Sequence, residues 1–209
     1  MSQTPLVPDS CPTLQIIADH AQEGVTARQQ FFATEAKNVR QCALLMARTL
    51  AKGRKILLCG NGGSAADAQH IAAELVTRFL LDRPPLPALA LTTDSSILTA
   101  IGNDFSFEQV FAKQVMALGQ PEDMLIGIST SGTSANVLAA LRAARQRGMV
   151  CAGLTGASDA MRPMCDCVLS VSHASTPIIQ EVHIAAAHML CRLVDYFLFE
   201  NVSALSNSE

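Results

Sequence analysis

The chain has 209 residues, 49% of them hydrophobic and 16% charged, a balance that excludes a disordered chain and suits a single α/β domain. A net charge of −3 leaves no basic excess for nucleic acid or an anionic membrane, and a chain without Trp and with one Tyr makes a poor base-stacking platform. Seven cysteines, several inside apolar runs (Cys42, Cys59, Cys151, Cys191), read as reduced small hydrophobes. The pair Cys165-Asp-Cys167 has no second pair at zinc-ribbon spacing.

Residues 1–12 and 203–209 read as flexible tails flanking a single domain over 13–202. The N-terminus has no basic start followed by an apolar stretch, and polar residues interrupt each apolar run before membrane-spanning length. The expectation is a soluble, cytoplasmic protein. Two helices over 13–23 and 26–51 form a helical hairpin. The second carries Phe31, Phe32, Val39, Cys42, Leu45, Met46 and Leu50 near helical spacing. Gly53 breaks that pattern and a strand follows over 55–59. The turn at 60–63 leads into a helix capped by Ser64 and running to about 80.

The alternation then repeats. Strands are expected over 86–91, 124–128, 150–154 and 167–171. Helices are expected over 95–101, 107–118, 134–147 and, as a long closing element, 177–200. Strands that are short and apolar on both faces, separated by helices, belong to a parallel sheet covered on both sides. The predicted fold is therefore α/β: a five-stranded parallel doubly wound sheet, flavodoxin-like, preceded by the helical hairpin. Ligands bind such sheets beyond the carboxyl ends of the strands.

Three constellations sit where that rule places them. Gly60-Asn61-Gly62-Gly63-Ser64-Ala65 joins a strand to a helix, letting an anion approach backbone N–H groups. The acidic residue that a dinucleotide site wants about 20 positions later comes too late, at Asp94, and no Lys completes a P-loop. Ser129-Thr130-Ser131-Gly132-Thr133-Ser134 gathers five hydroxyls at a second strand end. Capping explains one of them, while a phosphate monoester with no adjacent cation explains all five. Finally, His70 and Glu74 share a helix face, and Gln180, His183 and His188 line one side of the closing helix. These two groups suggest an acid–base site, a metal site or both; spacing leaves both His183 and His188 open, one of them being an ordinary core histidine.

Together with Asp67-Ala-Gln-His70, Asn103-Asp104, Gly127-Ile-Ser-Thr-Ser-Gly132, Leu154-Thr-Gly156 and Ile179-Gln-Glu-Val-His183, these residues resemble the sugar isomerase (SIS) domain family, most closely its phosphoheptose isomerase branch, over roughly residues 25–200. The resemblance implies conversion of sedoheptulose 7-phosphate to D-glycero-D-manno-heptose 7-phosphate, the first step toward nucleotide-activated heptose of bacterial lipopolysaccharide. It also implies a homotetramer with intersubunit active sites and one zinc per subunit. It places metal ligands at His70, Glu74, Gln180 and His188, which selects His188 over His183, and the catalytic pair at Glu74 and His188. Substrate contacts fall at Asn61, Gly62, Gly63, Asn103, Asp104, Ser129, Thr130, Ser131, Ser134 and Gln180, with Ser64 and Glu74 beside them. The chain departs from the pattern at Pro177 and Ile178, where members often carry an acidic residue and an Arg, and at 157–160, which lacks paired glycines. The rival class is a non-catalytic SIS protein that binds the bacterial replication initiator or senses a sugar phosphate. The former lacks the Glu and the second His, and the latter normally carries a DNA-binding segment.

Overall fold

A computed structural model of the chain describes residues 11–206. In chain order it contains α1 (Pro12–Ala51), β1 (Ile56–Gly60), α2 (Gly63–Val76), β2 (Ala88–Ala90), α3 (Ser95–Asp104), α4 (Ala112–Leu118), β3 (Met124–Ser129), α5 (Ala135–Gln146), β4 (Val150–Thr155), β5 (Cys167–Ser170), α6 (Thr176–Asp195) and α7 (Ser203–Ser206). Short 3-10 turns fall at Phe107–Gln109 and Arg162–Met164, and a π-helical turn, Tyr196–Glu200, extends α6.

All five strands are parallel, in the order β2-β1-β3-β4-β5. Alternation along each strand divides the core. Ile56, Leu58, Met124, Ile126 and Ile128 face a layer built by α1, α2 and α6, whereas Leu57, Cys59 and Leu125 face the layer of α4 and α5. The strand order reverses between β1 and β3, where Gly60 pairs with Ile128. The two loops leaving these strand ends therefore emerge side by side at the switch point.

The expected hairpin is replaced by one continuous 40-residue helix. Gly24, which falls in the expected gap between the two helices, is a point of close approach: a Cβ there would lie 2.9 Å from Glu181 Oε2 and 3.8 Å from Ile178 Cδ1 on α6. A mid-helix glycine costs about 1 kcal/mol relative to Ala, and the contact it opens between α1 and α6 offsets that. Other boundaries shift for local reasons. Gly62, not Ser64, takes the N-cap of α2, and Ser64 is buried in the first turn. That helix stops at Val76 because Arg83 takes up the carbonyls at its end. The segment expected as one helix over 107–118 splits into a 3-10 turn and α4.

Of the expected tails, residues 1–10 and 207–209 lie outside the described residues, Pro12 opens α1, and Ser203–Ser206 is helical. Contrary to the expectation that every apolar run is interrupted, Thr176–Glu200 is long and apolar enough to cross a membrane by length and composition. Half of its most apolar window is buried within the fold, as in a core helix. Cys42, Cys59, Cys151, Cys167 and Cys191 are buried thiols, and none of the seven cysteines is in a disulfide.

Candidate active site

The glycine turn after β1 runs through Gly62 at φ +54° into the first turn of α2, which no side chain caps. The carboxamide of Gln180 lies across the turn, so close to Gly63 that a Cβ there would force the Gln180 side chain to shift. Asn61 is held from the other side. Its Nδ2 donates to Asn136 Oδ1 at 2.9 Å and its Oδ1 accepts from Asn136 Nδ2 at 2.8 Å. This reciprocal amide pair ties the glycine turn to the first turn of α5.

The hydroxyl loop after β3 closes on itself. Ser129 Oγ lies 2.8 Å from Ser134 Oγ and 3.3 Å from Ser131 Oγ, and Ser131 Oγ accepts from the Thr133 amide at 3.2 Å. Ser134 stands at the N-cap of α5 but makes no capping bond, so the helix N-terminus and the serine hydroxyls are both available to an anion. Gly156 N donates to the Thr130 carbonyl at 3.1 Å and anchors the loop from β4.

About 10 Å along α2 from Gly63, by its rise per residue, His70 Nε2 lies 3.1 Å from Glu74 Oε1. His188 of α6 joins them, its ring edge-on to that of His70 with centroids 5.1 Å apart. One ligand atom from each of His70, Glu74 and His188 falls within 4.8 Å of the other two. Two imidazoles and a carboxylate converging this closely make a donor set that suits a borderline divalent ion such as zinc. Phe79 stacks on His188, rings 5.4 Å apart and 24° from parallel, which fixes the imidazole plane. Asp67, one turn before His70, has a buried Oδ2 without a hydrogen-bond partner among the described residues. Burial raises its carboxyl above the ordinary range, with the His70 charge opposing.

Of the two histidines that spacing left open on α6, His183 goes to the core. It is 1% exposed, and its Nε2 lies 3.1 Å from the Thr155 carbonyl. Burial pushes its pKa down to about 4. His188 goes to the cluster. Gln180 sits two turns earlier on α6, against the glycine turn. Asn103 and Asp104 fall at the end of α3, where Asn103 Nδ2 donates to Asp104 Oδ1 at 2.8 Å. Asn136 and Phe79 escaped the sequence reading. Asn136 lay in a stretch that reads as an ordinary helix start, and Phe79 in one that reads as the end of a helix.

Residues 20–156 match the SIS domain family model. A phosphoheptose isomerase of Nitratidesulfovibrio vulgaris (strain Miyazaki F) is 62% identical over 192 residues, covering 91% of this chain and 92% of that protein. One of Burkholderia pseudomallei (strain K96243) is 52% identical over 183 residues, covering 87% and 91%. The solved phosphoheptose isomerase of Neisseria gonorrhoeae superposes with a TM-score of 0.82 at 46% identity, over 88% of this chain and 98% of that one. With its hydroxyl loop, its glycine turn and its His–Glu–His cluster arranged on that shared fold, the chain belongs to the SIS domain family, in the phosphoheptose isomerase branch.

Proposed function

We propose that the chain converts sedoheptulose 7-phosphate to D-glycero-D-manno-heptose 7-phosphate, the first step toward nucleotide-activated heptose, by moving a proton between C1 and C2 through an enediol. The observation that carries this reading is the meeting of His70, Glu74 and His188. An enediol route needs a base for carbon and a proton carrier for the oxygens, and few side chains other than carboxylate and imidazole serve. Glu74 takes the carbon-bound proton and returns it to the neighbouring carbon. His188, its plane held by Phe79, gives and accepts the proton at O1 and O2. His70 bonds Glu74 Oε1 and leaves the other carboxylate oxygen for the substrate.

The phosphate is held by Ser129, Thr130, Ser131 and Ser134 with the N-terminal amides of α5. Asn61, Gly62, Gly63 and Ser64 line the adjoining turn, and Gln180 reaches the sugar from α6. The separation of the glycine turn from His70 along α2 suits an extended sugar phosphate. His70, Glu74 and His188 would hold one zinc per subunit, with Gln180 as a further ligand; bound there, zinc supplies Lewis-acid polarisation of substrate oxygens.

Assembly as a homotetramer with intersubunit active sites is supported by what the fold leaves uncovered. The helix α3, which carries Asn103 and Asp104, buries none of its own residues, and Phe105 and Phe107 beside it are 59% and 65% exposed. On α1, Ile16 and Ile17 are 66% and 62% exposed. Apolar area of this extent marks an interface, and a second copy would bring the Asn103–Asp104 pair to a site. Residues 13–202 act as one unit in the cytoplasm on this reading, without nucleic acid or membrane partners.

The deciding experiment incubates the purified protein with sedoheptulose 7-phosphate and follows appearance of the aldose. Zinc-dependent turnover is the expected result. A protein that binds the sugar phosphate without turning it over overturns the catalytic reading.

A further inference from the structure

Arg83 and Asp195 form an ion pair that no local sequence pattern announces. Their side chains are 1% and 2% exposed, and Arg83 Nε donates to Asp195 Oδ1 at 2.8 Å. The rest of the guanidinium closes the end of α2. Nη2 donates to the Glu74 carbonyl at 3.0 Å, and Nη1 to the carbonyls of Leu75 at 2.7 Å and Pro84 at 3.2 Å. The last carbonyls of a helix lack partners within the helix and carry the negative end of its dipole. The last turn of α2 contains no basic residue of its own, so Arg83 supplies the cation from further along the chain.

Asp195 lies seven residues after His188 on α6, about 20° round the helix and about 10 Å along it. The bonds therefore run from the backbone of Glu74, through Arg83, to a carboxylate on the same stripe of α6 as His188. Stability alone does not account for such a pair, because apolar side chains of similar volume commonly replace a buried ion pair without loss. We propose that the Arg83–Asp195 pair is a positioning device: it sets the separation of α2 and α6 and so holds Glu74 and His188 at their working distance. This rests on the assignment of Glu74 and His188 as the acid–base pair. Arg83 touches no reacting atom and acts through Glu74. Lysine cannot substitute, because a point charge lacks the planar fork that reaches the carboxylate and the carbonyls together.

The test uses the full-length enzyme with zinc supplied and two variants, Arg83→Lys and the double Arg83→Met/Asp195→Leu. Thermal midpoint, kcat, KM and the pH profile of kcat are measured for each. The double variant keeps the volume of the pair and removes both charges, so it answers the question if Arg83→Lys unfolds. A small displacement of catalytic groups costs up to about a hundredfold in rate. The expected result is a fall in kcat of at least tenfold in folded protein, with KM within about twofold because the hydroxyl loop is untouched. A folded variant of either kind with kcat within twofold of the parent overturns the proposal. So does failure of both to fold, which would make the pair a requirement of the fold itself. Glu74→Gln is assayed alongside. Full activity there would sink the acid–base assignment, whereas an inactive Glu74→Gln beside an active Arg83→Lys sinks only the positioning role.

Discussion

Asn61 and Asn136, 75 residues apart in the chain, exchange two amide hydrogen bonds of 2.9 and 2.8 Å across the switch point between β1 and β3. Asn136 is 3% exposed and Asn61 is half-buried. Truncation to Ala removes both bonds, at a net cost of about 0.5–1.5 kcal/mol each. We expect Asn136→Ala to lower the urea midpoint accordingly and to raise KM, because the glycine turn loses its tie to the hydroxyl loop. An unchanged KM in a destabilised variant would show that the pair serves the fold only.

The buried neutral state of His183 has a consequence for pH. Its pKa falls to about 4 on folding, from an ordinary value near 6.5. Above pH 6.5 the ring is neutral in both states and contributes nothing. Between 6.5 and 4 the unfolded chain takes up a proton that the folded chain refuses, so stability drops as pH falls, by about 3 kcal/mol at the limit. Replacing His183 with Asn removes this titration. Denaturation midpoints measured from pH 7.5 to 4.5 should fall less steeply in the variant, while its kcat at pH 7.5 stays near the parent value. Parallel pH dependence in the two proteins would mean that another group titrates.

What the sequence made legible was whatever depends on near neighbours. The five strand runs, the glycine turn, the hydroxyl loop and the His70–Glu74 spacing are all local patterns and appear at the expected places, whereas the ends of several helices between the strands do not. Groups paired over long separations left no such trace. Arg83 and Asp195 are 112 residues apart, and each looks like an ordinary surface charge until the fold buries it. The expected gap between 23 and 26 failed for a related reason: helix propensity is a local quantity, while the packing of α1 on α6 that keeps the helix unbroken is not. The choice between His183 and His188 was also invisible to spacing. It depends on which side of α6 faces the sheet, where the Thr155 carbonyl waits for one ring and Phe79 and His70 for the other.

The hydroxyl loop offers a direct measurement. Ser131 and Ser134 lie within 3.3 and 2.8 Å of Ser129 Oγ, and the segment 129–134 holds no Lys or Arg, so on the proposed reading hydroxyls and amides carry the binding of a phosphate dianion. Hydrogen bonds to a charged group contribute about 1.5–3 kcal/mol each. The double variant Ser131→Ala/Ser134→Ala should raise KM by on the order of 10²-fold or more and leave the thermal midpoint within a few degrees. A KM equal to that of the parent would remove this loop from the substrate site.

The sharpest outcome concerns Glu74. Glu74→Gln keeps the size of the side chain and an oxygen for the 3.1 Å contact with His70 but removes the basicity. A positioned general base contributes at least ~10²-fold, so kcat should fall by that factor or more. The loop proposed to hold the phosphate lies elsewhere, so the affinity for substrate measured by calorimetry should stay close to the parent value, which places the loss in the chemical step. His188→Asn should behave in the same way. Its ring is the one held between Phe79 and His70, and Asn there supplies no group that protonates near neutral pH. Both variants also disturb the donor set for zinc, so metal content is measured in each. A variant that retains zinc and binds substrate yet turns over slowly isolates the proton transfer. A fully active Glu74→Gln would overturn the enediol route through this residue and favour a protein that binds sugar phosphate without transforming it.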